Sequence, residues 1–211
     1  MQSILPEILP ANGEDTIGPY YPIPFLDEES EDLTIVHPGL CVEVAGKPID
    51  LSLRLRDSHF NLVDGALIEF WQANTKGILS IPQNFDHPDY DPRFTGFYRQ
   101  RSNTGHFKVR TIMPGRIELT GSPHQYRAPH ITLNIFCDGI TRVVTQIFFE
   151  DHSENLQDPL LASLETQLAK RLIAKRVGES NQVSAFEIDI VLQGENETPF
   201  FDDLQPIAKI K

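Results

Sequence analysis

The sequence predicts an all-β sandwich with an extended N-terminal arm and one helix in the C-terminal half. Three features point to it. Several short segments alternate apolar and polar residues with period two, as half-buried strands do. Turn-forming Asp64-Gly65, Asn103-Thr104-Gly105 and Asp138-Gly139 separate those segments. Only the stretch after Asp158-Pro159 carries leucines at helical spacing. At 211 residues and 40% hydrophobic, the chain can bury the core of a single large domain.

Residues 1–40 read as an arm. Pro6, Pro10, Pro19, Pro22, Pro24 and Pro38 exclude a long helix there, so this stretch must pack on its own domain or on a neighbouring subunit. The sandwich domain is then 41–211. Inside the arm, Thr16-Ile17-Gly18-Pro19-Tyr20 joins a permissive glycine, a fixed φ and a phenol. By composition alone it is a turn with packing aromatics. Leu51, Leu53 and Leu55 alternate with Ser52, Arg54 and Arg56 in a half-exposed strand. Ala66 to Ala73 is a second strand and holds Trp71, the sole tryptophan. Residues 74–104 read as loop, and their acidic run Asp86, His87, Asp89 and Asp91 as a solvated loop rather than a metal cluster. His106 to Ile112 is a strand ended by Pro114-Gly115, and 130–149 is a hairpin. Ile131, Leu133 and Ile135 share one face of that hairpin; His130, Thr132, Asn134 and Phe136 share the other. Asp158 caps a helix over 159–175, with Pro159 first and a core stripe of Leu160, Leu161, Leu164, Leu168 and Leu172. Phe186, Ile188, Ile190 and Leu192 mark the last strand, which Gly194 closes.

A net charge of −12 argues against nucleic acid and anionic membrane surfaces as partners, because both require basic patches. Cys41 and Cys137 lack metal-ligand spacing and read as buried thiols of a reducing compartment. The chain shows neither a basic-then-apolar leader nor an apolar run of membrane-spanning length, which predicts a soluble, cytoplasmic protein.

Six segments, in order, resemble the intradiol ring-cleavage dioxygenases: Thr-Ile-Gly-Pro-Tyr (16–20), Leu-Ile-Glu-Phe-Trp-Gln-Ala-Asn (67–74), Thr-Ile-Met-Pro-Gly (111–115), Ala-Pro-His-Ile (128–131), Gln-Ile-Phe-Phe (146–149) and Gln-Gly-Glu-Asn-Glu-Thr-Pro-Phe-Phe-Asp (193–202). The resemblance implies the family's β-sandwich and its chemistry. Ferric iron binds a catechol-type aromatic acid, O2 is inserted, and the ring opens between the two hydroxyl carbons to a diacid. It also implies where the metal is not. The family's iron-bearing chain uses two Tyr and two His ligands. One Tyr lies shortly after the Trp-Gln-x-Asn segment, and the other stands two positions after Pro-Gly and 13 before a His-x-His pair. Leu79, Ile117, His130 and Thr132 occupy those positions here, so only His130 retains a ligand side chain.

The resemblance is therefore to the non-iron-binding α-type subunit, with Fe(III) held by a paralogous β-type subunit in a higher hetero-oligomer. It further implies that Thr16, Gly18, Pro19 and Tyr20 reach into the partner's site. Arg127 would line a vestigial cavity with His130, Leu79, Ile117 and Thr132, and Gln146 would be structural. Asp138 departs from the Arg expected before the hairpin glycine; it would repel a carboxylate, which leaves the substrate's identity open. Two other readings are compatible with the sequence: a diverged, non-enzymatic assembly or binding protein, and an enzyme with a metal site rebuilt from His106, His124, Tyr126 and His130.

Overall fold

The structure, a computed structural model, describes residues 32–37, 40–119, 121–122, 124–137 and 141–201. Thr16, Gly18, Pro19, Tyr20 and Asp138 lie outside these residues, as does the Asp138-Gly139 turn.

Strands β1 (Ile35–His37) and β2 (Leu40–Glu43) pair as a small antiparallel sheet across the expected 40/41 boundary. The main chain of Leu33 donates to the Arg110 carbonyl at 2.8 Å, tying the residues before β1 to the domain. The domain itself is one eight-stranded sheet. Its members are β3 (Pro48–Arg56), β4 (Ala66–Gln72), β5 (Phe97–Ser102), β6 (His106–Ile112), β9 (His130–Cys137), β10 (Thr141–Phe149), β11 (Ile173–Ser180) and β12 (Val183–Val191), in the order β5-β4-β9-β10-β11-β12-β3-β6. The end strands β5 and β6 are consecutive in the chain and joined at Asn103-Thr104-Gly105, so the sheet curls back on itself. A single apolar cluster fills the interior. Ile49, Leu51, Leu53 and Leu55 of β3 meet Ile131, Leu133 and Ile135 of β9, together with Ile147 and Phe149 of β10. The period-two pattern is thus what builds the sandwich: alternate residues of β3, β6, β9 and β12 point into the shared core, whereas β11 contributes only Ala174.

The hinge between the two layers is narrow. β10 and β11 pair in parallel only through Phe148 with Ile173 and Phe149 with Ala174. By contrast, β12 and β3 pair in parallel from Ser184–Ile49 to Val191–Arg56.

Two expectations are corrected. The helix expected over 159–175 is two short helices, α1 (Pro159–Ser163) and α2 (Thr166–Lys170), followed by β11. Asp158 caps α1 as expected, its carboxylate accepting from the main chain of Leu160 and Leu161. Leu164 and Glu165 are extended and break the helix. Four of the five stripe leucines still pack, Leu160, Leu161 and Leu172 burying against Ala128 and Phe148 with Leu164 beside them; Leu168 on α2 is only half-buried and outside the cluster. Strand pairing, to β10 at Ile173 and Ala174 and to β12 from Lys175, then wins over the helical spacing. The expected loop 74–104 also contains β5. Only Tyr98 and Ser102 of β5 are buried, and Arg99 turns outward to pair with Glu69, which hides the alternation.

Candidate functional site

Two further short strands, β7 (Ile117–Glu118) and β8 (Tyr126–Arg127), pair antiparallel and place Ile117 opposite Arg127. The Trp71-Gln72-Ala73-Asn74 segment at the end of β4 sets what faces them. Gln72 is buried, donating to the Ile112 carbonyl at 2.9 Å and accepting from the Thr111 hydroxyl at 2.9 Å. The Asn74 side chain accepts from the main chain of Lys76 and Ile78, and its carbonyl accepts from Gly77 and Gly115. Gly77 has φ +80°, and a Cβ there would lie 1.9 Å from the Arg116 carbonyl oxygen. Only glycine allows the chain leading to Leu79 to lie this close to the chain leading to Ile117.

Arg127 is 2% exposed and Asp158 is fully buried. Their ion pair measures 2.8 Å from Nε to Oδ2, and the same oxygen accepts from the Ala128 main chain at 2.8 Å. Asp158 therefore caps α1 with one oxygen and holds β8 with the other. Arg127 Nη2 donates to Gln146 Oε1 at 2.6 Å, and Gln146 Nε2 donates to the Thr132 hydroxyl at 3.3 Å. Arg127 Nη1 is buried with no hydrogen-bond partner.

His130 opens β9 and lies beside Phe148, with ring centroids 5.5 Å apart. Burial, reinforced by the nearby Arg127 charge, pushes its imidazole down to about 4, against the smaller opposing pull of the Ala128 carbonyl and Asp158. The ring is neutral at physiological pH. Its Nδ1 lies 2.7 Å from the Ala128 carbonyl oxygen, which can only accept, so Nδ1 carries the proton and Nε2 keeps a lone pair.

These groups line one cavity of about 570 Å³. Leu79, Ile117, Arg127, His130 and Thr132, dispersed over 54 positions in the sequence, all border it, with Gln146, Trp71, Leu119 and Pro159. The alternative set is not gathered. His124 and Tyr126 border a second hollow, where the Arg116 guanidinium sits 4.1 Å from the Tyr126 ring, and His106 is exposed on β6. The acidic run is a surface loop, with Asp91 paired to Arg93 at 2.9 Å. The Asp158 partnership with Arg127 has no sequence signal beyond the capping motif, because the two are 31 positions apart.

The donor set around the cavity can be tested against a ferric ion, a hard cation suited to phenolate and imidazole. Among the described lining residues, His130 supplies one imidazole nitrogen and Glu118 one carboxylate, the Thr132 hydroxyl is already engaged by Gln146, and the Leu79 and Ile117 side chains supply no donor atom. No group of three or more His, Cys, Asp or Glu among the described residues is placed to hold a metal. The residues do not fit the iron that intradiol dioxygenases generally use.

The curled sheet and the cavity at the end of β9 define an intradiol-type scaffold. Residues 17–194 match the Dioxygenase family (Dioxygenase_C), and the chain belongs to the intradiol dioxygenases. Among its relatives, the protocatechuate 3,4-dioxygenase alpha chain of Pseudomonas putida is 30% identical, covering 93% of this chain and 98% of that one. The protocatechuate 3,4-dioxygenase beta chain of Burkholderia cepacia is 31% identical, covering 88% and 80%. The dioxygenase domain of a dioxygenase–carbohydrate-binding protein fusion from Streptomyces sp. SirexAA-E shares the fold, with a TM-score of 0.55 at 23% identity over 85% of this chain and 96% of that one. No helix among the described residues is long and apolar enough to cross a membrane.

Proposed function

We propose that this chain is the non-iron-binding α-type subunit of a protocatechuate 3,4-dioxygenase-like enzyme. It completes the active site of an Fe(III)-bearing β-type subunit that uses O2 to cleave a catechol-type aromatic acid between its hydroxyls. Overall identity does not separate the two subunit types, since it is 30% to an alpha chain and 31% to a beta chain. The observation that carries the reading is the cavity wall. Leu79, Ile117 and Thr132 stand where the resemblance places three of four ligands, and all three border the cavity with His130. Likeness to both chain types of one enzyme supports a hetero-oligomer. In this reading the chain contributes assembly surface, and Thr16, Gly18, Pro19 and Tyr20 enter the partner's site.

The test is metal analysis and visible absorption. The full chain alone is expected to be colourless and iron-free, because tyrosinate-to-ferric charge transfer requires coordinated Tyr. Stoichiometric iron with visible absorption in this chain alone overturns the assignment. Leu79→Tyr, Ile117→Tyr and Thr132→His together should confer iron binding that no single substitution confers, because chelation needs the whole ligand set. In the assembly with an iron-bearing partner, Tyr20→Ala should lower kcat/KM about ten- to a hundredfold without loss of iron or assembly.

A further inference from the structure

We propose that residues 21–31, which lead into the described chain, form a strap across the outer face of β5, β4, β9 and β10. The strand registers arrange that face in rows. Arg101, Leu67, Phe136 and Arg142 lie side by side at the end away from the cavity. Arg99, Glu69, Asn134 and Val144 form the next row. Their neighbours along each strand, among them Ile68, Phe70, Leu133 and Ile135, point the other way into the core. Leu67 therefore points outward, yet it is 3% exposed and belongs to none of the apolar clusters among the described residues. A leucine so well shielded on the outer side of a sheet needs apolar cover. The outer face of the other layer is charged instead, with Asp50, Arg54, Lys108 and Asp189 still reaching water.

Position, length and chemistry select this occupant. Asp32 bridges Arg110 in parallel, and the Leu33 main chain donates to the Arg110 carbonyl at 2.8 Å. In a parallel pairing the residues before Asp32 head towards His106, the end of β6 that turns back into β5. β5 is the first strand of the face, and it lies close by: the Lys108 main chain donates to Gln100 Oε1 at 3.1 Å. Crossing from β5 to β10 takes three strand spacings, about 14 Å, and the extended stretch 21–26 spans about 20 Å. Pro22-Ile23-Pro24-Phe25-Leu26 offers apolar side chains on an extended backbone to cover Leu67 and Phe136. Asp27-Glu28-Glu29-Ser30-Glu31 is acidic. Glu69 and Arg99 pair with each other at 2.9 Å, so Arg101 and Arg142 set the charge of the face, and Lys108 lies on the way to it. An acidic segment thus meets basic side chains, in a chain of net charge −12. The strap brings Tyr20 out beside β10, away from the chain's own cavity, which suits action on a neighbouring subunit; that last step alone rests on the α-type reading.

The test uses the full chain alone, without iron or partner, so its outcome is separate from that of the subunit assignment. Amide hydrogen exchange of residues 21–31 should be at least about tenfold slower than in a free peptide of the same sequence. Leu67→Ser, a change on the outer face, should remove that protection while β9 stays protected. Arg101→Glu should speed exchange of the acidic part about threefold, and adding Glu28→Lys and Glu29→Lys should restore it. A second measurement needs no loss of an apolar contact. With Phe136 replaced by photoreactive p-benzoylphenylalanine, illumination should join position 136 to residues 21–26, and the product should run as a monomer on a denaturing gel. Exchange of residues 21–31 at the free-peptide rate in the unaltered chain overturns the proposal. So does protection that survives Leu67→Ser, or a crosslink from position 136 that runs as a dimer, which would assign the face to a second copy of the chain.

Discussion

The two layers of the sheet follow the same rule until one end of one layer is covered. Along β3, burial alternates strictly from Pro48 to Arg56: core residues on one face, and Asp50, Arg54 and Arg56 towards water on the other. Along β10, alternation gives way to five buried residues in a row, Thr145 to Phe149. The difference is a second layer. β8, α1 and the segment around Phe201 pack on the outer face of β9 and β10, so Phe148 is enclosed as fully as Ile147 and Phe149, and Gln146 is buried beside them. Ion pairs divide the same way. On the open face Asp189 of β12 accepts from Arg54 at 2.7 Å and from Arg56 at 2.6 Å, with all three side chains still reaching water. Under the covered end Arg127 and Asp158 make the same contact in a dry setting. Exposed pairs contribute little because water screens them, whereas a buried pair cannot lose one member without stranding the other.

This contrast can be broken experimentally. The largest effect is expected from Asp158→Ala, which strands the Arg127 charge and removes the α1 cap; destabilisation of about 3–5 kcal/mol is expected. Asp189→Ala on the open face should cost about 1 kcal/mol or less. Urea denaturation of both variants decides the matter, and equal losses would show that the covering layer does not set the energetics.

The pH dependence comes next. His130 titrates near 4 in the folded chain but near 6.5 once unfolded. Between those values the unfolded state binds more protons, so stability falls as pH drops from about 6.5 towards 4 and then levels off, for a total of about 3 kcal/mol. The open face acts lower. The Arg110 hydrogen bond holds Asp50 below its ordinary value of 3.8, so its contribution is present above that value and lost only as pH falls further. Stability measured against pH should therefore show a loss between 6.5 and 4 that vanishes in His130→Phe. A profile unchanged by that substitution would assign the loss elsewhere.

The smallest contrast concerns two glycines of similar backbone conformation. Gly65, at φ +68°, has nothing within 4 Å of a would-be Cβ, whereas Gly77, at φ +80°, meets the Arg116 carbonyl. Gly65→Ala should cost about 1–2 kcal/mol from conformation alone. Gly77→Ala should cost about 1–3 kcal/mol more through overlap with the main chain. Thermal denaturation of the pair is sufficient, and similar melting temperatures would mean that the Leu79 segment moves away freely.

Local chemistry was legible from the residues in order. Period-two alternation marks β3, β9 and β12, because each must put one face into a core, turn residues beside them mark β4, β6 and β10, and Asp158-Pro159 announces a helix start that the structure keeps. The resemblance to the intradiol family, also read from sequence, names Leu79, Ile117, Arg127, His130 and Thr132 as the lining of one cavity. What the sequence could not contain is competition between distant partners. The leucine spacing at 160–172 suits one helix, but 173–180 is taken as a strand by pairing with β10 and β12, and the stripe is met by α1 with Leu164 and Leu172 outside the helices, while α2 buries no residue. β5 hides its alternation because its outward residues are held by β4 rather than by their own pattern. The network joining Asp158, Arg127, Gln146 and Thr132 spans three separate segments, and its hydrogen bonds exist only once β8 and α1 lie over β9 and β10. That covering layer also leaves Arg127 Nη1 dry and unpaired and keeps His130 neutral, because burial rather than residue type sets the cost of a charge and of an unmet hydrogen bond.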